Sequence, residues 1–210
     1  MNKQPLFFRG LLVALIILPA IAVAVTWLER DHIAQARLGP RLPALGQVGD
    51  FALIEASGKP VRSADLSGRV WIASFIFTRC AGSCPIMTHN LAKLQSELPV
   101  RDDLRIVSVS VDPDHDTPEV LAKYAASNGA DRSRWLFLTG DKTQVYKLSR
   151  ETFRLAVDDT DGTQDEPVLH STKLVLVDRD GLVRGYYDGL DVETQKQLLR
   201  DVERLLAQRS

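Results

Sequence analysis

The stretch Val70-Trp-Ile-Ala-Ser-Phe-Ile-Phe-Thr-Arg-Cys80-Ala-Gly-Ser-Cys84-Pro85 carries most of the information in this chain. Residues 70–77 form a nearly continuous apolar run, the pattern of a central strand buried on both faces. Two cysteines follow at once, four residues apart. From Pro85 onward, Met87, Leu91, Leu94 and Leu98 recur at one-turn spacing, so a helix starts at the cysteine turn.

Working outward, residues 51–54 and 59–61 flank the turn pair Ser57-Gly58 and read as a small hairpin. Residues 104–111 form a β-branched strand. Asp116, Thr117, Pro118 and Glu119 then mark a helix start, with a cap, an early proline and an acid near the positive end. That helix stops near Asn128-Gly129. Residues 135–138 read as a strand and 142–150 as a short helix. Residues 174–177 and 183–187 are strands joined at the tight-turn pair Asp180-Gly181. Val192, Leu198, Leu199, Val202, Leu205 and Leu206 give a last helix its apolar face. The order β-β, β-α-β-α-β-α, β-β-α predicts an α/β domain whose sheet is covered on both faces. A cysteine pair placed after the first core strand, at a helix start, is the thioredoxin-like layout.

The chain has 210 residues, 45% hydrophobic and 25% charged, with a formal net charge of -1. This allows one ordinary domain plus an anchor, and it excludes the broad basic field of a nucleic-acid binder. Residues 6–28 are apolar except for Arg9, Gly10, Pro19 and Thr26, long enough for one membrane-spanning helix. Lys3 and Arg9 lie before the run, which keeps the short tail in the cytoplasm and exports the rest. The competing reading is a cleaved signal peptide, since Ala20-Ile21-Ala22 and Ala22-Val23-Ala24 satisfy the small-x-small rule. The length of the uncharged run favours an anchor. The expected organisation is a tail over residues 1–9, a transmembrane anchor over 10–28, a linker over 29–47 and a domain over 48–210. The absence of an Arg- and Ser-rich presequence points to a bacterial inner membrane, with the domain in the periplasm.

Cys80 and Cys84 are the only cysteines. Their spacing puts both on one face of a helix or its first turn, and a helix N-terminus favours the thiolate that binds metal or attacks disulfides. Three readings compete. A structural disulfide over so short a loop gains little from loop closure. A redox-active pair exchanging with other disulfides suits the placement. A metal site is the third, and two thiolates are too few for a closed zinc site, whereas sulfur with imidazole suits copper.

A histidine therefore decides the case. His32 lies in the linker and reads as a solvated surface residue, His89 is five residues beyond Cys84 and so turned away from that face of the helix, and His115 sits in an acid-rich turn and reads as surface. His170 ends a loop just before the apolar strand at 174–177. In a thioredoxin-like sheet that loop lies opposite the cysteine turn. Cys80, Cys84 and His170 are the candidate metal ligands.

These segments resemble the Sco/SenC family of copper-binding, thioredoxin-like proteins over residues 49–206. The resemblance rests on Ser74 through Cys80, Cys84-Pro85, Ser108 through Pro113, Asp116-Thr117-Pro118, His170-Ser171-Thr172 and Val177 through Gly181. It implies copper, as Cu(I) or Cu(II), held by Cys80, Cys84 and His170. It also implies a metallochaperone that receives copper from a donor protein. Such a protein supplies the binuclear copper site of cytochrome c oxidase, or reduces its cysteines, in the copper-binding subunit or another exported copper protein. Arg79 and Ala81 replace the His and Pro common beside the first cysteine, and Leu169 replaces an acid common before the histidine. Asp158, Asp159, Asp161, Asp165 and Glu166 make an acidic loop before His170, read as a solvated surface or a partner-docking element. The alternative function is a thiol–disulfide oxidoreductase acting on exported proteins. A peroxidase is disfavoured, since Phe77 and Ala81 stand where the activating threonine would be.

Overall fold

The strand Val70–Ile76 forms the middle of the sheet because its nearly continuous apolar run leaves no polar face to turn toward water. The structure, a computed structural model, describes residues 40–155, 157, 158 and 169–208 with residues 17, 19–21, 23, 25 and 26; at 157, 158, 169 and 170 it describes backbone alone. Two compact units are distinguished, Met1–Arg41 and Leu42–Ser210. In the first, residues 17, 19–21, 23, 25 and 26 are helical. Among the described residues no helix is long and apolar enough to cross a membrane, and most of the expected anchor over residues 10–28 lies outside them.

In the second unit the strands and helices are β1 (Gly46–Gln47), β2 (Ala52–Glu55), β3 (Pro60–Arg62), β4 (Val70–Ile76), α1 (Ser83–Glu97), β5 (Leu104–Ser110), α2 (Pro118–Ser127), β6 (Trp135–Thr139), α3 (Lys142–Lys147), β7 (Val157–Asp158), β8 (Leu169–His170), β9 (Lys173–Val177), β10 (Leu182–Asp188) and α4 (Val192–Ala207). Eight strands form one sheet in the order β1-β10-β9-β4-β5-β6-β2-β3. β4, β5 and β6 run parallel, while β9 pairs antiparallel with β4. All seven residues of β4 are buried, as its nearly continuous apolar pattern requires.

Side-chain alternation separates two covered faces. On one face the Ser74 and Ser108 hydroxyls lie 2.8 Å apart, and Trp135 donates to Ser108 at 2.9 Å. Trp135 stacks on Phe137, whose ring also meets Tyr124 of α2 edge-on. On the other face Trp71 and Phe75 hold the Phe153 ring edge-on at 5.9 and 5.7 Å. The predicted α/β order and two-sided covering are observed.

Local details differ from the reading of the sequence. Gly46–Gln47, expected in the linker, pairs with β10, and Arg184 donates to the Leu42 carbonyl at 2.9 Å. A two-residue strand has no periodicity to detect. Helix α1 begins at Ser83 rather than Pro85; proline is tolerated there because first-turn amides lack intrahelical partners. The helix read over residues 142–150 is α-helical only to Lys147 and then widens into a π turn, Leu148–Thr152. Gly181 adopts φ +75° in the β9–β10 turn, a conformation glycine takes without steric cost.

The last helix is tied down by a charged cluster. Arg179 donates to the carbonyls of Leu205, Leu206 and Gln208 at the end of α4 and to Asp103 at 2.8 Å. Arg101 also grips Asp103, through two bonds of 2.7 and 3.0 Å. These guanidiniums, Arg101 first, hold the Asp103 carboxyl far below its ordinary value. A lowered folded-state value stabilises above the ordinary carboxylate range and is lost as pH falls through it. Stability should therefore decline between about pH 5 and pH 2, with a shallower decline in Asp103→Asn. Urea midpoints measured across that range check this, and identical slopes for both proteins would refute it.

Candidate metal centre

Beyond β4, Phe77 is fully buried and anchors the start of the cysteine turn. Thr78 is fixed next. Its amide donates to Asp116 Oδ2 at 3.0 Å and its hydroxyl to Oδ1 at 2.5 Å. Ser110, at the end of β5, donates to Oδ2 at 2.6 Å, and His115 Nδ1 lies 3.0 Å from Oδ1. Each oxygen of Asp116 thus has two partners, which fills its acceptor capacity. Asp116 is fully buried, so the carboxylate is a structural hub joining the cysteine turn to the β5–α2 loop. The cap of α2 is Thr117, whose side chain accepts from the Val120 amide. Asp116, read as turn and cap, has this different role.

Arg79 continues the same link. Its Nε donates to Asp112 at 2.7 Å, and that bond raises the guanidinium further above its ordinary value. The Asp112 amide in turn donates to Ser110 at 3.1 Å. Arg79, a departure from the common family pattern, is therefore engaged in holding the turn.

Cys80 and Cys84 are not joined in a disulfide and are 6% and 0% exposed. Cys84 lies in the first turn of α1, after the helix cap Gly82. This brings the predicted pair to the N-terminal end of α1 at the edge of the core. Tyr124 of α2 reports the same crowding. Burial pushes its phenol up to about 12, against a hydrogen bond with Thr88, and negative charge on Cys84 and Cys80 adds to the rise.

The register of the sheet brings His170 to this end. β9 pairs with β4 as Ala73↔Val175, Ile72↔Leu176 and Trp71↔Val177. The start of β9 therefore lies beside the end of β4, where the cysteine turn begins. His170 stands three residues before β9, and its backbone in β8 pairs with Val157 of β7. A second tie acts nearby. The Thr172 carbonyl accepts from the Gly189 amide at 2.9 Å, and Asn90 of α1 donates to the Gly189 carbonyl at 2.9 Å. A Cβ on Gly189 would lie 2.8 Å from both Met87 and the Thr172 carbonyl, so only glycine fits. The segment following His170 is thus pinned against the cysteine helix.

Of the other histidines, His89 is exposed on α1, whereas His32 lies outside the described residues. His115 is exposed and engages Asp116. Ligand atoms of Asp112, His115 and Asp116 lie within 4.8 Å of one another, but Arg79 and the donors above already occupy them. The acidic loop also falls outside the described residues, apart from the backbone of Asp158. Asp116 and Thr78 were not singled out from the sequence as a pair. The only available signal was that both belong to motifs carrying the family resemblance.

Replacing Asp116 by alanine strands several buried donors, each costing about 1–3 kcal/mol. Asp116→Ala should lower stability by roughly that amount or more and speed alkylation of Cys80 and Cys84 in the native state. Thr78→Val, which removes one bond, should give a smaller change in the same direction. Thiol labelling followed alongside urea unfolding tests this; unchanged labelling in both variants would deny Asp116 its hold on the turn.

The comparisons with known proteins agree with this geometry. A family model described as SCO1/SenC matches residues 42–207. A SCO1 protein homolog of Bacillus subtilis is 35% identical over 159 residues, spanning 75% of this chain and 81% of that protein. The structure of BsSco, described as a member of the Sco family of cytochrome c oxidase assembly proteins with a disulfide switch, aligns at 33% identity and a TM-score of 0.71. It covers 81% of this chain and 99% of its own. ScoI of Bradyrhizobium japonicum, solved with copper bound, aligns at 25% identity and a TM-score of 0.64, covering 77% and 99% of the two chains. The fold is thioredoxin-like, and the chain belongs to the SCO1/SenC family.

Proposed function

We propose that this protein is a membrane-anchored copper carrier that holds the metal through Cys80, Cys84 and His170 and assists assembly of the binuclear copper site of cytochrome c oxidase. The observation that carries the reading is the placement of Cys80 and Cys84 at the start of α1, at the edge of the sheet where β9, which starts three residues after His170, begins. Two sulfurs and one imidazole form a soft donor set suited to copper. Copper is bound in the Bradyrhizobium japonicum relative, and BsSco belongs to a family of cytochrome c oxidase assembly proteins. Copper is cargo here, received from a donor protein and passed on by ligand exchange to an exported copper-binding subunit.

The full chain in detergent should bind one copper, and Cu(II) should give an intense thiolate absorption. Cys80→Ser and Cys84→Ser should abolish that band. His170→Ala should weaken Cu(II) binding by more than the ~10–100-fold typical of changes outside the ligand shell. Equal affinity in His170→Ala would remove that residue from the ligand set.

The second reading is thiol–disulfide exchange, favoured by two neighbouring cysteines not joined in a disulfide and by the disulfide switch described for BsSco. The Cys80 and Cys84 thiols would give two electrons and two protons to a partner disulfide, which becomes two thiols while Cys80 and Cys84 join. Exchange should persist in His170→Ala, whereas copper transfer should fail.

The address proposed is the bacterial inner membrane, with the domain in the periplasm, supported by the apolar run over residues 6–28. The full chain should remain with membranes after an alkaline carbonate wash, and deletion of residues 1–28 should release it. Release of the intact chain would overturn the anchor.

A further inference from the structure

The opposite end of the sheet from the cysteine turn carries a cavity of about 550 Å³ that copper handling does not use. Its walls come from the β2–β3 hairpin, the short turn before β4, and the segments entering β5 and β6. Four cationic side chains line it, Lys59, Arg69, Arg105 and Arg132, against two carboxylates, Glu55 and Asp65. Both carboxylates have other duties. Glu55 accepts from the Ser57 amide at 2.6 Å and from Arg132 at 3.5 Å. Asp65 accepts from the Arg62 amide at 2.8 Å, in a cap.

The two half-buried arginines have no carboxylate in direct contact among the described residues. Arg69 donates to the main-chain carbonyls of Asp102 and Asp65. Arg105 donates to those of Leu104 and Arg101, at 2.7 and 3.3 Å. These bonds leave donors unused on each planar fork, which has five N–H groups. Burial first, and then the charge of Arg69, pull the Arg105 guanidinium below its ordinary value, although Asp102 and Asp103 oppose this. Asp103 is itself claimed by Arg101 and Arg179. Two like charges sharing a concave, partly dry space are a costly arrangement that a bound anion relieves.

We propose that this cavity is a binding site for a phosphate group, held between Arg69 and Arg105 with Lys59 at its rim. Guanidinium forks match the paired oxygens of a phosphate. The volume lies within the range of small-molecule pockets and exceeds what a bare phosphate fills. Leu66 and Leu136 supply apolar wall for an organic remainder. The occupant is therefore a phosphate ester, which is either a free small molecule or the headgroup of an anionic phospholipid.

Two probes separate these sources. The full chain in detergent is titrated calorimetrically with glycerol 3-phosphate. It is also reconstituted with vesicles of phosphatidylcholine alone or mixed with phosphatidylglycerol. Binding of the soluble ester, weakened at least about tenfold in Arg69→Gln/Arg105→Gln, would support a small-molecule site. A preference for phosphatidylglycerol over phosphatidylcholine that the double variant loses would support a headgroup site; a hydrophobic anchor would serve both lipids alike. Lys59→Glu, an exposed change that spares the buried bonds, should reduce the same signal and guards against misfolding of the arginine variant. No binding of the ester and no lipid preference, or either signal unchanged by Lys59→Glu and the double substitution, overturns the proposal.

Discussion

The cysteine end of this molecule depends on one buried carboxylate. Asp116 accepts bonds from Thr78, Ser110 and His115, so the tip of β4, the end of β5 and the loop into α2 share a single anchor. In the parallel β4–β5 pair, chain ends at the same edge would otherwise diverge into independent loops. A fully buried acceptor with every lone pair engaged resists that divergence, because any opening leaves an acceptor or donor unmet away from water. A second connection between the same loops joins the half-exposed Arg79 to the buried Asp112. Solvent at Arg79 weakens such a pair, so the direction it gives to the turn matters more than its energy.

The two ends of the sheet divide their work by charge and depth. At the cysteine end, Cys80 and Cys84 belong to the hydrophobic core together with Phe77 and Met87, and sulfur suits a soft ion. At the other end, guanidiniums line a water-accessible hollow. Between them lies β4, buried along its whole length and apolar except for Ser74. A net charge of -1 conceals this polarity, since a sum over the chain cannot report where opposite charges are placed.

Legibility in the sequence followed the length of the signal. The seven-residue run of β4, the one-turn repeat of α1 and the amphipathic α4 were readable because burial imposes a period on many positions at once. β1, β7 and β8 were not, since each spans only two residues and is defined by its partner strand. The cysteine pair was visible as a local motif, whereas the side chain of His170 lies outside the described residues. Asp116 was misjudged because Asp-Thr-Pro offers two adjacent side chains able to cap a helix; only the approach of Thr78 from the turn after β4 decides between them. The arginine hollow was invisible, because Arg69, Arg105 and Arg132 are far apart in the chain and become neighbours only through sheet order.

The two sulfurs are not equivalent, and this sets an order of events. Cys84 is sealed within the first turn of α1, while Cys80 keeps a sliver of surface on the turn outside the helix. Whatever arrives from solvent therefore meets Cys80 before Cys84, because the outward-facing side of the pair belongs to the residue outside the helix.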